Sequence, residues 1–174
     1  MKVGLLSDSH GSTQFVDELI EWFNNHGCDK IIHLGDDWED VAKWIEVIKI
    51  PGLFSDLYSD PKVPNRLIFE FEGWNTLLTH TKETQENDLP TDLKPEEVIK
   101  NKEANVILYG HTHIPAIEKK EGIIYINPGH LKPMDKKGYP PTFAIMEFRQ
   151  AALGVKIMDF KTKTPLFSKF FVQK

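Results

Sequence analysis

Cysteine is nearly absent from this sequence, because Cys28 is the only one among 174 residues. A single thiol excludes a disulfide within the chain and a structural zinc site built from several cysteines. Long apolar runs are lacking as well, since no stretch approaches the roughly 18 residues that a membrane-spanning helix needs. The polar stretch that contains Asp8 begins too early for the apolar region of a signal peptide. We therefore expect a soluble, cytoplasmic protein with no membrane partner.

An excess of positive charge is also missing, because 21 Lys and Arg residues stand against 26 Asp and Glu residues, for a net charge of −5. Stable binding to DNA or RNA depends on the neutralisation of phosphates by Lys and Arg, so we expect none. A small phosphorylated substrate is not excluded, since a bound metal ion reverses the local field.

The residues that are present suit an ordinary globular protein, with a hydrophobic share of 40% and a charged share of 27%. The length predicts a single domain over residues 1–174. Apolar periodicity predicts alternating strands and helices in the first half, at 2–6, 13–25, 30–34 and 39–47. The second of these helices should turn Val41, Trp44, Ile45 and Ile48 inward.

The second half is richer in predicted strands. A hairpin at 66–71 and 74–79 precedes a short helix at 95–101, strands at 106–109, 116–119 and 123–126, and an antiparallel group at 142–148, 154–160 and 166–172. Segments 50–65, 81–93 and 131–141 should be loops. We therefore expect an α/β fold with two packed sheets, a β-sandwich flanked by helices.

Four apolar runs end abruptly in side chains that bind metals. The residues at these ends are Asp8 and His10, Asp36, His80, and His111 with His113. Because parallel strands present their carboxyl ends at one edge of a sheet, these side chains predict one polar centre. Asp and His without Cys favour a hard-to-borderline divalent metal.

Each short motif also has a purely structural interpretation. Asp8 and Asp36 are equally compatible with caps of the helices that follow them. His33 lies inside a strand and is best interpreted as a core histidine. The pair His111 and His113 after Gly110 is the strongest element, because burying two unpaired imidazoles would be costly.

The order of these motifs along the chain resembles that of the calcineurin-like metallophosphoesterase superfamily. The motifs are Asp8-x-His10, Gly35-Asp36, His80 and Gly110-His111-x-His113. The likeness is greatest to its small single-domain phosphodiesterase branch, which includes the phosphoesterase-like subunit of the eukaryotic retromer. Asn127-Pro128-Gly129 extends the match. The resemblance implies a four-layer sandwich and a hydrolase that cleaves a small phosphate ester with a metal-bridging hydroxide.

The same resemblance implies two divalent metal ions. The first would be held by Asp8, His10, Asp36 and His113, and the second by Asp36, His80, His111 and an asparagine. Asp36 would bridge both metals and hold the hydroxide, as the catalytic residue. We expect Mn²⁺, although Fe, Ni²⁺, Co²⁺ and Zn²⁺ also suit these ligands.

The sequence departs from the family in the loop that should supply the asparagine. Leu53 stands where the asparagine belongs, and Phe54 stands where relatives carry the histidine that protonates the leaving group. Asp56 is either a replacement ligand or a turn residue. Thr81 replaces a glycine, and His130 replaces a serine; His130 is either a contact to phosphate or a partly exposed loop histidine.

These departures leave two functional hypotheses. The first is a metal-dependent phosphoric ester hydrolase, a phosphodiesterase or phosphatase with a small phosphate-ester substrate. The alternative is a non-catalytic protein-interaction module with a degenerate metal site, for which the changes at Leu53 and Phe54 are the main support.

Overall fold

The computed structural model describes residues 1–173 and contains two β-sheets with few helices. The helices are α1 (Thr13–Asn25) and α2 (Pro95–Lys100), and two short 3₁₀ helices cover Trp38–Val41 and Asp56–Ser59. In chain order the strands are β1 (Lys2–Leu6), β2 (Lys30–His33), β3 (Ile48–Lys49), β4 (Arg66–Phe71), β5 (Trp74–Thr79), β6 (Val106–Leu108), β7 (Ala116–Lys120), β8 (Ile123–Asn127), β9 (Thr142–Arg149), β10 (Ala152–Asp159) and β11 (Pro165–Val172).

The two sheets pack face to face. One has six strands in the order β11-β10-β9-β1-β2-β3, and the other has five in the order β4-β5-β6-β8-β7. Apolar side chains from both sheets meet in one buried cluster, with Val3 and Leu5 of β1 beside Leu78 of β5 and Leu108 of β6. The predicted α/β sandwich is therefore confirmed.

The helices cover the outer faces of the sheets. Val16, Leu19, Ile20 and Phe23 of α1 are buried, and the Phe23 ring lies so close to Gly4 that a β-carbon there would come within 2.6 Å of it. On the other side, α2 packs Val98 with Leu77 and Ile107. The layer order is thus helix, sheet, sheet, helix. Among residues 1–173, no helix has the length and apolarity to cross a bilayer.

The predicted helix at 39–47 is wrong, because the chain forms only the 3₁₀ turn Trp38–Val41 there. Ile45, which was expected inside, is 90% exposed. Side-chain contacts hold this segment instead, and Trp44 Nε1 donates to Asp17 Oδ1 of α1 at 2.9 Å. The Lys49 Nζ atom donates to the carbonyl oxygens of Val41 and Trp44, both at 3.3 Å. Ile48 belongs to β3, which pairs in parallel with β2.

The parallel pairings bring the strand ends that carry the predicted ligands to one side of the molecule. In the first sheet β1 runs parallel to β2, and in the second β5, β6 and β8 run parallel to one another. Backbone hydrogen bonds connect the two groups of strand ends, such as that from the Leu131 N–H, after β8, to the Asp8 carbonyl, after β1, at 3.2 Å.

Candidate metal centre

The side chains at the strand ends form two clusters that share Asp36. In each cluster the potential ligand atoms lie within 4.8 Å of one another. The first cluster contains Asp8, His10, Asp36 and His113, and the second contains Asp36, His80 and His111. The structure therefore brings together all six side chains that the sequence indicated, in the two expected groups.

In the first cluster, two histidines and two carboxylates face a common point. The Nε2 atoms of His10 and His113 are 3.1 Å apart. His113 Nε2 lies 3.2 Å from Asp8 Oδ1, and His10 Nε2 lies 3.6 Å from Asp36 Oδ2. Converging imidazole nitrogens and carboxylate oxygens at such spacings are a ligand set for a divalent transition metal.

In the second cluster, Asp36 and His80 are buried and His111 is exposed. His80 Nε2 lies 3.3 Å from Asp36 Oδ1, and the ring of His111 lies 5.3 Å from that of His80. Within residues 1–173, Asp36 Oδ1 and His80 Nε2 are buried and have no hydrogen-bond partner. Buried polar atoms are normally paired, because an unpaired one costs about 1–3 kcal/mol. A cation at this position would satisfy both atoms, so the residues present fit a metal.

Most of the ligand residues have an unusual backbone conformation. Asp8, His10, Asp36, His111 and His113 have φ angles of 54°, 47°, 49°, 63° and 60°. Non-glycine residues rarely adopt this left-handed region, and strain of this kind concentrates at functional sites. The strand-end turns are therefore shaped to aim side chains at the centre rather than to minimise backbone energy.

Two glycines allow the backbone to approach the carboxylates. A β-carbon at Gly110 would lie 2.6 Å from Asp8 Oδ2 and would collide with Ser7 Oγ. A β-carbon at Gly52 would collide with Asp36 Oδ1 and the Asp36 backbone nitrogen. The segment that carries Leu53 thus passes directly against the shared carboxylate.

Hydrogen bonds orient the histidine rings. His80 Nδ1 donates to the Leu34 carbonyl at 2.8 Å, and His113 Nδ1 donates to Asp135 Oδ2 at 2.7 Å. When Nδ1 carries the proton, the Nε2 lone pair is free to bind a metal, and such partners raise the basicity of the ligand. Sequence reasoning missed Asp135, since nothing in the loop 131–141 marks one acidic residue as the partner of a distant histidine.

Asp8 is held in its charged form. Its carboxylate accepts hydrogen bonds from Ser7 Oγ at 2.5 Å and from the His111 N–H at 3.0 and 3.1 Å. Burial opposes ionisation, but the contacts with His113, His80 and Ser7 outweigh it and leave the pKa of Asp8 below its ordinary value. The carboxylate is therefore ready to bind a cation.

His33 is a buried core histidine, as its place within a strand predicted. Burial lowers the pKa of His33 to about 4, so the ring is neutral. The Gly35 N–H donates to Nδ1 at 3.3 Å, and Nε2 donates to Ser9 Oγ at 3.1 Å. Ser9 Oγ in turn donates to the Asp36 carbonyl at 3.4 Å. His33 therefore connects the two turns that carry Asp8 and Asp36.

The remaining candidates lie outside the two clusters. Phe54 is 82% exposed, and Asp56 is exposed in the first turn of the 3₁₀ helix Asp56–Ser59. The expectation of a partly exposed His130 is wrong, because its side chain is fully buried. Its Nε2 donates to the Tyr139 carbonyl and its Nδ1 accepts from the Lys132 N–H, both at 3.1 Å. A contact to phosphate would require the ring to break one of these bonds.

Known proteins are similar to this chain in sequence and in fold. The chain is 24% identical over 146 residues to a phosphodiesterase of Methanocaldococcus jannaschii, covering 74% of this chain and 83% of that protein. A predicted phosphoesterase of Streptococcus pneumoniae TIGR4 superposes with a TM-score of 0.77 at 24% identity, covering 99% and 97% of the two chains.

Vacuolar Protein Sorting 29 of Cryptosporidium parvum has the same fold, with a TM-score of 0.73 at 18% identity over 99% of this chain and 98% of its own. The calcineurin-like phosphoesterase superfamily domain matches residues 1–151, which include all six candidate ligands. That match covers most of the sequence, and proteins of this superfamily use divalent metals. The chain therefore belongs to the calcineurin-like phosphoesterase superfamily.

Proposed function

We propose that this protein is a two-metal phosphoesterase that hydrolyses a small phosphodiester or phosphomonoester. The observation that carries the proposal is the pair of ligand clusters that share Asp36, with Asp36 Oδ1 and His80 Nε2 buried and unpartnered within residues 1–173. Mn²⁺ is the cation we propose, since carboxylate and imidazole ligands suit it. The two ligand clusters thus suit the metal-dependent chemistry of the family.

The two Asp36 oxygens face different clusters. Oδ2 lies toward His10 and Oδ1 lies toward His80, so one carboxylate serves both positions. Two divalent cations bound there would lower the pKa of a water molecule and neutralise charge on the phosphoryl oxygens. We assign Asp36 the catalytic role of holding both positions at a fixed separation. His80 and His113 keep their Nε2 lone pairs directed inward through their Nδ1 hydrogen bonds.

The candidate centre is open to solvent on one side, from which a substrate can approach. Asp8, Asp36 and His80 are buried, whereas His111 is exposed and the His10 side chain is 26% exposed. A phosphate ester would therefore reach the centre past His10 and His111. The centre therefore suits an ester whose phosphoryl group is small enough to reach both clusters.

Hydrolysis of chromogenic esters tests this proposal. Purified protein with Mn²⁺ should hydrolyse bis(p-nitrophenyl) phosphate or p-nitrophenyl phosphate, and Asp36→Asn should lower the rate by about two orders of magnitude or more with the fold intact. Asp17→Asn is the matched control, because within residues 1–173 the Asp17 carboxylate bonds only to Lys43 and Trp44, away from the two clusters. Equal inactivity of wild type and Asp36→Asn across metals and both esters would refute the proposal.

We also propose that residues 1–174 act as one domain. The family match ends at residue 151, within the turn between β9 and β10. The strands β10 and β11 nevertheless extend the six-stranded sheet without a break, since β10 pairs with β9 along its whole length. Leu153, Val155 and Ile157 of β10 belong to the core between the sheets, which supports a single folding unit.

The second candidate is a non-catalytic interaction module. Leu53 cannot ligate a metal, and Phe54 presents an exposed aromatic ring where relatives carry a histidine. The metal content of the protein as purified separates the two functions. Two ions per chain favour the hydrolase, whereas no metal together with no hydrolysis favours the module.

A further inference from the structure

Arg66 at the start of β4 is the centre of a buried polar network beside the second cluster. Its side chain is 1% exposed, and it pairs with Asp88 at 2.8 Å. Nε donates to Thr79 Oγ1 at 3.1 Å, and one terminal nitrogen donates to Thr81 Oγ1 at 3.3 Å. The other terminal nitrogen donates to the Leu93 carbonyl at 3.1 Å. All three nitrogens of the guanidinium group thus donate hydrogen bonds.

The two threonines lie immediately before and after His80. Thr79 Oγ1 donates to the Thr81 carbonyl at 2.6 Å, and Thr81 Oγ1 donates to the Glu83 carbonyl at 2.8 Å. Both hydroxyls also accept a hydrogen bond from Arg66. One guanidinium therefore fixes the backbone on both sides of a candidate ligand.

The same ion pair reaches the segment that lies against Asp36. Asp88 accepts a hydrogen bond from the Tyr58 hydroxyl. Tyr58 belongs to the 3₁₀ helix that begins three residues after Leu53, and its carbonyl accepts from Asn65 Nδ2 at 2.8 Å. The Ser55 N–H donates to the Gly52 carbonyl at 3.0 Å, which continues the connection to the glycine that contacts Asp36.

A buried ion pair is not the simplest way to stabilise a fold. Apolar residues of similar volume are often as stabilising, because the two charges lose their hydration. A network of directional bonds does, however, hold groups in one arrangement. His80 Nε2 and Asp36 Oδ1 need such support, since within residues 1–173 they lie 3.3 Å apart without a partner.

We propose that the Arg66–Asp88 pair is a positioning device for the second metal, holding His80 and the Gly52–Leu53 segment in place around Asp36. This inference rests on the proposed two-metal centre. It gives a physical role to Thr81, which replaces the glycine of relatives, and to the acidic stretch that contains Asp88. Neither Arg66 nor Asp88 belongs to the two ligand clusters.

Calorimetric titration of the metal-free protein with Mn²⁺ tests the inference. His80→Ala first identifies which binding step belongs to the second cluster. Thr81→Val, which keeps the shape of the side chain and removes its hydrogen bonds, should then raise the dissociation constant of that step about tenfold. The other step should change less than about twofold, because the first cluster has no contact with Thr81.

Thr76→Val is the matched control. Thr76 is also buried and lies on β5, the strand that ends two residues before Thr81; within residues 1–173 its hydroxyl bonds only to the Trp74 carbonyl, at 3.2 Å. Asp88→Asn is a second variant, and it should weaken the same binding step. If Thr81→Val binds Mn²⁺ as Thr76→Val does, or if both steps weaken equally, the inference is wrong. If the wild type binds no Mn²⁺, the proposed two-metal function is wrong instead.

Discussion

Asp36 Oδ1 lies 3.3 Å from His80 Nε2, and both atoms are buried without a hydrogen-bond partner among the residues that the structure describes. Such a pair opposes folding, because a buried polar atom without a hydrogen bond costs free energy. A cation between them would remove this cost. The pair therefore supports the proposed second metal position, for which the family resemblance implies an asparagine ligand where this chain has Leu53.

Leu53→Asn should restore that ligand. The Gly52 backbone contacts Asp36, so the side chain at position 53 starts close to the second cluster. An amide oxygen there should tighten binding of the second Mn²⁺ by about tenfold or more. Leu53→Ala is the control, since it shortens the side chain without adding a ligand atom. An equal affinity in the asparagine and alanine variants would show that another group already fills the position.

Under the proposed function, Phe54→His should change which esters the protein can cleave. A positioned acid contributes about 10²–10⁴-fold when the leaving group needs a proton. Wild type should therefore cleave p-nitrophenyl esters far faster than alkyl esters, and the histidine variant should raise the rate for alkyl esters most. Phe54→Ala provides the control for loss of the exposed ring. A uniform change in the rates for all esters would contradict this role.

Gly52→Ala should disable the centre although it adds only a methyl group. That methyl would collide with Asp36 Oδ1, so the shared carboxylate must move. We expect both Mn²⁺ sites to weaken by about tenfold or more, measured by calorimetry. Gly154→Ala is the control, because its β-carbon would lie 3.8 Å from the nearest side-chain atom, Phe170 Cδ2. If Gly52→Ala binds metal as the wild type does, the Asp36 carboxylate does not lie against Gly52, and the prediction is wrong.

The stability contributed by Asp88 should vanish in acid. Burial opposes its ionisation, but the Arg66 and Tyr58 hydrogen bonds outweigh burial and lower the pKa of Asp88. A lowered folded-state pKa gives stability that is fully present above the unfolded value of about 4 and is lost as pH falls through the folded value. Breaking this buried pair with Asp88→Asn should cost about 3 kcal/mol or more at pH 7.

Urea unfolding of wild type and Asp88→Asn between pH 2 and 7 measures this contribution. The difference in unfolding free energy should shrink only below about pH 4. Glu21→Gln, at an exposed position of α1, should show a small difference at every pH. A difference between wild type and Asp88→Asn that is independent of pH would mean that the Asp88 charge does not matter.

Much of the fold was predictable because it depends on local patterns. Alternation and helical spacing located α1 and the β4–β5 hairpin at their observed bounds. The predicted helix at 39–47 is wrong because side-chain bonds hold this segment, from Lys49 to the Val41 and Trp44 carbonyls and from Trp44 to Asp17, and apolar spacing does not show them. The sequence predicted that the six candidate ligand side chains lie together, because each follows the end of a predicted strand. It could not show Asp135 or Arg66 near the centre, since both arrive there through the tertiary fold.

The shared carboxylate is the central claim, and Mn²⁺ stoichiometry tests it most directly. Wild type should bind two ions per chain, and His80→Ala should bind one, because only the second cluster contains His80. Asp36→Asn should lose tight binding at both positions, since both clusters contain Asp36. If Asp36→Asn, still folded, retains one or two tightly bound ions per chain, Asp36 does not bridge two metals and the account is contradicted.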